Sequence, residues 1–176
     1  MAERDNSSLC LADHRSPTFY RTAHWWLTKD GDKSCLALYE RHYSCYQYAD
    51  GRKRSQFVGP GENIVLRTAD ANALFVWRNY RDDTIPQQLG VECAVFRNEG
   101  PYLSSELIRQ ADAVADCAWP DQRHYTKVRP SAVRSTNAGF CFIKAGWRRC
   151  GQTKGGLLIL EREVDTRGEA NPNRSK

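Results

Sequence analysis

Residues 91–118 read VECAVFRNEGPYLSSELIRQADAVADCA and carry the clearest structural pattern in the chain. Two sets of side chains alternate over the first eight residues, which is typical of a β-strand. Gly100 and Pro101 break that pattern, and from Ser104 onward apolar residues recur on one face of a helix. We therefore predict a strand over 91–98 that passes through a short loop into a helix over 104–118.

The N-terminus of this predicted helix is a candidate anion site. Free backbone N–H groups and the positive end of the helix dipole meet there, an arrangement that holds pyrophosphate in many proteins. Ser104 and Ser105 would add hydroxyl donors. The same residues also suit a plain helix cap, which is the alternative interpretation.

The remaining patterns complete one sheet. Segments 63–68 and 73–79 predict an antiparallel hairpin that continues into the strand at 91–98. Further strands are predicted over 18–28, where the adjacent Trp25 and Trp26 cannot both face one core, and over 123–128 and 156–162. Helices are predicted over 34–46, capped by Asp32 or Ser34, and over 138–145.

This element order predicts an α+β (mixed α/β) fold with a central, mostly antiparallel sheet flanked by helices. We expect a single domain over 18–164, a flexible N-terminus over 1–17 and a disordered C-terminal tail over 165–176.

Composition restricts the class of protein. The chain has 176 residues, of which 40% are hydrophobic, so it can bury a core and is not an intrinsically disordered chain. It has no apolar run of the roughly 20 residues that a membrane span needs, and its N-terminus lacks the layout of a signal peptide, so we expect a cytoplasmic protein without membrane contact. The net charge of +5 permits a polyanionic partner.

The seven cysteines indicate neither disulfides nor a metal. Their number is odd and they are scattered, which favours reduced thiols. The nearest spacing to a metal site is His42-x-x-Cys45, and no second pair accompanies it, so no metal site is expected.

Residues 135–151, STNAGFCFIKAGWRRCG, complete a recognisable order of elements. A meander, a strand that ends at a helix N-terminus, another strand, a short helix opened by Asn137 and a final hairpin together resemble the GNAT acyltransferase superfamily. In that superfamily the fourth and fifth strands splay apart, and acyl-CoA lies in the gap with its pyrophosphate on the following helix.

The resemblance implies acetyl-CoA or a related acyl-CoA as the donor. The residues that it places beside the donor are Val95, Phe96 and Arg97 along the pantetheine arm, Gly100, Ser104 and Ser105 near the pyrophosphate, and Asn137. The chain departs from the family in its loop 98–105, which has only one glycine, and in Phe142, which stands where many members have a tyrosine general acid. Any chemistry must therefore use other residues.

Arg41-His42-Tyr43-Ser44 lies on the predicted early helix and resembles the signature of the phage Mom-like branch of the superfamily. Members of that branch modify the exocyclic amine of adenine in DNA and protect phage genomes from restriction, in the cytoplasm of the bacterial host. His42 would take a proton from the amine, and Tyr43 and Ser44 would orient a base or stabilise an oxyanion. The alternative is a structural histidine beside a core tyrosine.

Glu99 is a second candidate base. A carboxylate at the end of a splayed strand can be partly buried, which would raise its pKa. The alternative is an ion pair between Glu99 and Arg97 or another arginine.

A base within a DNA duplex must be unstacked before an enzyme reaches it, so stacking and backbone-binding residues are required. Tyr43, Tyr46, Tyr48 and Trp77 are candidates for stacking, and Tyr125 for lining the acceptor site. Arg52, Lys53 and Arg54 form the densest basic cluster and would hold the phosphates, unless they are a solvated turn.

The sequence therefore favours a GNAT-like transferase that modifies a nucleobase amine in DNA. Two alternatives stay open: a conventional GNAT N-acyltransferase acting on a small-molecule, protein or tRNA amine, and a non-catalytic nucleic-acid-binding protein on a degenerate GNAT scaffold.

Overall fold

The computed structural model describes residues 22–80, 89–133 and 135–163, in which seven strands form one sheet. The strands are β1 (Trp25–Thr28), β2 (Glu62–Thr68), β3 (Ala73–Asn79), β4 (Val91–Asn98), β5 (His124–Val128), β6 (Arg148–Gln152) and β7 (Leu158–Arg162). The helices are α1 (Lys33–Glu40), α2 (Ser104–Ala118) and α3 (Phe140–Lys144), with a 3₁₀ turn over Pro130–Ala132. The predicted N-terminus 1–17 and tail 165–176 lie outside the described residues.

The strand order is β1-β2-β3-β4-β5-β7-β6, and every neighbouring pair is antiparallel except β4 and β5. The predicted α+β fold, with a central and mostly antiparallel sheet flanked by helices, is confirmed. The predicted meander of β2, β3 and β4 is also confirmed, and its first hairpin is closed by Thr68 and Asp70, whose side chains accept hydrogen bonds from the backbone N–H of Asn72.

The tryptophan pair in β1 divides between the two faces of the sheet, as predicted. Trp25 is fully buried and donates from Nε1 to the carbonyl oxygen of Leu107 in α2, at 2.7 Å. Trp26 is 41% exposed. Successive residues of a strand point to opposite faces, so only one of the two could reach the core.

Helices cover the two faces of the sheet unequally. The apolar stripe of α2, with Leu107, Ile108 and Ala111 fully buried, packs on one face together with α3. On the other face, α1 and Phe57 cover Val65, Val76 and other residues of β2, β3 and β4. The helix predicted over 138–145 is shorter than expected, and β6 precedes the predicted closing strand, β7.

The predicted extent of α1 was wrong at its C-terminal end. Asp32 caps the helix as predicted, because its carboxylate accepts from the backbone N–H of Ser34 and Cys35. The helix ends at Glu40 rather than at residue 46. The imidazole of His42 accepts from the backbone N–H of Ser44 at 3.2 Å, and this local bond replaces a helical one. His42, Tyr43 and Ser44 therefore lie in a turn after the helix, which we call the 41–44 turn.

A bulge and a divergence of strands coincide in β4. Val76 pairs with Val95 and Trp77 with Cys93, so the register between β3 and β4 skips Ala94. The parallel pairing of β4 with β5 runs from Val91 and His124 to Cys93 and Thr126, and stops there. Since β4 continues to Asn98 and β5 to Val128, the two strands part beyond Cys93. A bulge bends its strand, which accounts for the divergence at this level.

In the part of the chain that the structure describes, no helix has the length and apolar character needed to cross a membrane.

Candidate functional site

A slot lies between β4 and β5 where these strands part. It encloses about 110 Å³. Its walls come from both strands, from the 41–44 turn on one face of the sheet and from α3 on the other, and they include His42, Tyr43, Cys93, Ala94, Phe96, Thr126, Lys127, Gly139, Cys141 and Phe142. Thr126 Oγ1 donates to the carbonyl oxygen of Cys93 at 2.9 Å and so ties the strands together at the closed end of the slot.

The 41–44 turn crosses the mouth of the slot. His42 is 8% exposed and lies beside β4, where its ring makes a hydrogen bond with the backbone of Phe96. Tyr43 is directed to β5, and its hydroxyl donates to the carbonyl oxygen of Lys127 at 3.2 Å. The two rings pack together with centroids 4.2 Å apart. Two adjacent residues thus bond to strands on opposite sides of the gap.

His42 is a neutral imidazole at physiological pH. Burial, and after it the charge of Arg97, lower its pKa from 6.5 to about 4, although the hydrogen bond to the Phe96 backbone acts in the opposite direction. Since the backbone N–H of Ser44 can only donate, Nδ1 is the unprotonated ring nitrogen. The hydroxyl of Ser44, 2.7 Å from Nδ1, then donates to the same atom.

Tyr43 and Ser44 differ in accessibility. Tyr43 is half-buried and burial raises its pKa, so its phenol stays protonated and can donate. Ser44 is exposed. The structure therefore brings the three predicted residues together, with the hydroxyl of Ser44 as the accessible end of the His42–Ser44 pair.

Glu99 does not have the environment of the predicted base. It lies between two arginines, with Arg41 Nη2 at 2.6 Å and Arg97 Nε at 2.5 Å from its carboxylate oxygens. Hydrogen bonds from Arg41, and then from Arg97, lower its pKa to about 2. The expected raised pKa is therefore wrong, and the ion-pair alternative describes the geometry. Because Arg97 Nη1 also donates to the backbone oxygen of Arg41, this cluster fastens the 41–44 turn to the end of β4.

The residues predicted along a donor arm divide between the two faces of β4. Phe96 lines the slot and contacts Phe142 of α3, with ring centroids 5.8 Å apart. Val95 is buried beneath α1 and Arg97 is bound to Glu99, so neither side chain lines the slot. The bulge at Ala94 reverses the alternation of side chains beyond Cys93, which the sequence pattern did not reveal.

The loop before α2 is organised by Asn98. Its side chain accepts from the backbone N–H of Gly100 and donates to the carbonyl oxygen of Tyr102 and to Ser104 Oγ. No side chain caps α2, which begins after Leu103, so the capping alternative for Ser104 and Ser105 is not what the structure has. The Glu106 N–H donates to the Leu103 carbonyl oxygen, whereas no side chain caps the amides of Ser104 and Ser105, which can bind an anion.

Asn137 precedes α3 as predicted and is exposed. Its side-chain oxygen accepts from Arg149 Nη2 at 2.6 Å, and its backbone oxygen accepts from the N–H of Phe140. The hydrogen bonds of Asn137 therefore go to the start of α3 and to β6, and the residue does not line the slot.

Trp77 and Tyr125 are buried, which contradicts their predicted contact with a substrate. Trp77 is fully buried and donates from Nε1 to the carbonyl oxygen of Ala111 at 2.9 Å. Tyr125 is 4% exposed and faces away from the slot, with Arg123 and Lys127 over its ring. β-Strand patterns show which residues share a face, but they do not show which face a helix covers.

The basic cluster lies in an exposed segment after the 41–44 turn. Arg52 and Lys53 are exposed and Arg54 is half-buried, and Arg52 makes a 3.3 Å ion pair with Asp50. Arg54 lies over the rings of Tyr46 and Tyr48, at 5.7 and 5.0 Å.

Several residues that line the slot were not predicted from the sequence. Thr126, Cys93 and Cys141 line the slot although none was proposed for the site. Burial raises the pKa of the Cys93 and Cys141 thiols, so both act as apolar walls rather than as nucleophiles. Thr126 lies in the predicted strand 123–128, RHYTKV, and the strand pattern does not mark it as a residue of the slot. Across the described ranges, no three His, Cys, Asp or Glu side chains are grouped so as to hold a metal ion.

Comparison of the chain with protein-family models, with curated proteins and with solved structures finds no match.

Proposed function

We propose that this protein is a GNAT-like transferase that modifies a nucleobase amine in DNA. The observation that supports this most directly is the parting of β4 and β5 at a bulge, with His42 and Tyr43 across the opening. The resemblance in the sequence implies such a gap between the fourth and fifth strands, and the His-Tyr-Ser signature was predicted to act beside it.

The chain offers groups that fit an acyl-CoA donor. The slot is lined by apolar side chains such as Phe96, Val128 and Phe142, which suit a thin and uncharged arm. The open amides at the start of α2 suit a phosphate, and Glu106 in that first turn is neutralised by Arg109 at 2.7 Å. When bound, the thioester would supply the activated acyl group.

The His42–Ser44 pair would remove the proton from the acceptor amine. Ser44 Oγ is exposed and would receive that proton while it passes its own to Nδ1 of His42. The low pKa of His42 keeps the ring neutral and ready to accept across the physiological range. An adenine amine becomes acidic only as its nitrogen forms the new bond, so a modest base at a fixed distance is suitable.

Tyr43 would replace the tyrosine that is missing at Phe142. Its protonated phenol lies on the slot, 3.2 Å from the carbonyl oxygen of Lys127. A donor at this place can stabilise an oxyanion or protonate a leaving group. In the free protein the hydrogen bond to β5 holds the ring in position, and a substrate oxygen would replace the Lys127 carbonyl as the acceptor of this proton.

The experiment is a nucleoside analysis. DNA from cells expressing the protein would be digested to nucleosides and weighed, beside DNA from cells expressing His42→Ala. We expect a nucleoside of increased mass with the wild-type protein and none with His42→Ala, at equal soluble expression. An unmodified nucleoside profile with the wild-type protein, under good expression, would refute DNA modification.

A second measurement separates the enzyme from a binding scaffold. We expect calorimetry to give heat on titration with acetyl-CoA or another acyl-CoA, and a reduced affinity for Phe96→Asp, which places a charge in the slot. If no acyl-CoA gives heat at millimolar concentration, the slot does not bind a donor. If acyl-CoA is consumed only with small-molecule, protein or tRNA amines, the conventional acyltransferase is the correct function.

A further inference from the structure

Residues 45–54 form a groove beside the 41–44 turn that neither the core nor the slot requires. The groove encloses about 310 Å³. Its principal lining residues are Tyr46, Tyr48, Gly51, Arg52, Lys53 and Arg54. Two tyrosine rings and three cationic side chains therefore line one depression of the surface.

The aromatic rings of the groove are held in a fixed arrangement. Tyr46 and Tyr48 meet edge to face, with centroids 5.4 Å apart and planes at 86°. The Arg52 guanidinium lies 4.2 Å above the Tyr48 ring, and Arg54 donates from Nε to the carbonyl oxygen of Tyr46 at 3.3 Å. Tyr46 itself is 61% exposed. The Tyr46 ring is thus exposed to solvent, while its contacts with Tyr48 and Arg54 hold it in place.

The groove leads to the proposed active site. Arg54 also lines a neighbouring depression formed by Tyr39, Ser44 and Ala94, among others. Ala94 in turn lines the slot beside His42. A ligand extended along this path would pass from Tyr46 to the exposed hydroxyl of Ser44.

Charge favours an anionic ligand along the path. Four cations, Arg52, Lys53, Arg54 and Arg78, line the two depressions. They outnumber the nearby carboxylates, which are Glu40 and Glu92 in the lining and Asp50, the ion-pair partner of Arg52. Glu92 is already bound by Arg78 and by Lys127, the latter at 3.1 Å. The ligand that this surface fits carries phosphates together with flat rings.

We propose that this groove binds an unpaired DNA strand and guides it to Ser44, an inference that rests on the proposed function. An exposed tyrosine stacks on the face of a base, and every base offers such a face once it is unstacked. In a duplex those faces are covered by neighbouring bases, so Tyr46 could contact only the backbone. The groove therefore favours a single strand, or a locally opened site, over intact duplex DNA.

The test is fluorescence anisotropy with a labelled 12-nucleotide DNA, single-stranded or annealed to its complement. We expect the purified protein to bind the single strand at least tenfold more tightly than the duplex. Tyr46→Ala should weaken single-strand binding about tenfold, because stacking on one aromatic ring contributes roughly that factor, whereas Tyr46→Phe should keep it. Arg52→Gln should reduce the slope of log K against log salt by about 0.7.

Trp26→Ala is the matched control, since Trp26 is exposed on the edge strand β1 and does not line the groove, and it should bind like the wild-type protein. Equal affinity for single strand and duplex, or unchanged binding by Tyr46→Ala, would overturn the inference. Tighter binding of the matching RNA by tenfold or more would assign the groove to another partner.

Different results would refute the proposed transferase activity and the proposed strand-binding groove. Single-strand binding that depends on Tyr46, in a protein that leaves nucleosides unmodified, would refute the transferase and keep the groove. Modified nucleosides together with wild-type activity in Tyr46→Ala would keep the transferase and refute the groove.

Discussion

The Oγ atom of Ser44 lies 2.7 Å from Nδ1 of His42, and the backbone N–H of the same serine donates to the same nitrogen. The serine thereby fixes which ring nitrogen of the neutral imidazole carries the proton. His42 is 8% exposed while Ser44 is exposed, so the serine hydroxyl is the accessible end of this pair.

Replacing Ser44 by alanine should lower kcat by a factor of about 10² to 10³ and leave KM nearly unchanged, because a proton-transfer group is lost and no binding surface is removed. Initial rates of nucleoside modification would measure both constants. Ser44→Thr keeps a hydroxyl and should retain most of the activity. A kcat within twofold of wild type in Ser44→Ala would show that Ser44 does not carry the proton.

The activity should stay constant from neutral pH down to about pH 5 and fall only as His42 takes up a proton near pH 4. The acid limb of kcat/KM measures this directly. An acid limb centred near 6.5 would show that the imidazole is not buried during the reaction.

The pH dependence of the free energy of unfolding should also reflect the lowered pKa of His42. The pKa of His42 in the folded protein lies below its value of 6.5 in the unfolded chain, so between these two values the unfolded chain binds more protons. The free energy of unfolding should therefore decrease as the pH falls from about 6.5 toward 4. Urea titrations at several pH values would measure it, and in His42→Gln this contribution to the slope should be absent.

Arg97→Met should raise the pKa of His42, because the charge of Arg97 opposes protonation of the ring. NMR titration of the histidine ring protons gives this pKa without any assay of activity. Arg109→Met, which removes an exposed arginine of α2, is the control and should leave the His42 pKa unchanged. A lower pKa in Arg97→Met would contradict the assigned cause.

Glu99→Gln should reduce kcat by less than tenfold, because Glu99 is bound to Arg41 and Arg97 and does not line the slot. Its pKa of about 2 also places its titration below the acid limb of His42. The kcat and the pH profile of this variant would check both points. A loss as large as that of His42→Ala would restore Glu99 as a candidate base.

Trp77→Ala should lower the free energy of unfolding by about 3–5 kcal/mol, since it empties a fully buried site and removes the indole hydrogen bond to the carbonyl oxygen of Ala111. Urea denaturation would measure this. Trp77→Phe keeps most of the buried surface and should lose less. Tryptophan fluorescence of the wild-type protein should also not respond to DNA through this residue, because it is buried.

Much of the fold follows from the sequence because its signals are local. The meander follows from alternating side chains, and α2 from an apolar stripe at helical spacing. The early helix was predicted too long because Tyr39, Tyr43 and Tyr46 also recur at helical spacing. The helix ends at Glu40, and beyond it the Ser44 backbone bonds to the His42 ring, a local contact that no periodicity reveals.

The site was harder to predict than the fold. The chemical character of His42, Tyr43 and Ser44 was visible in the sequence, and the structure brings them together. The positions of Val95 and Trp77 were not predictable, because a single extra residue at Ala94 and the choice of face covered by α2 decide them. The bulge and the choice of face both depend on tertiary packing, which the strand propensity of the sequence does not reveal.

His42 and Tyr43 are adjacent in the chain, and their side chains connect the two strands that border the slot. Consecutive Cα atoms are a fixed distance of about 3.8 Å apart, and these two side chains bond to β4 and β5 respectively. Adjacent residues of one turn therefore link the two strands across the slot, in addition to the pairing within the sheet. An inserted residue between them would lengthen this link across the slot.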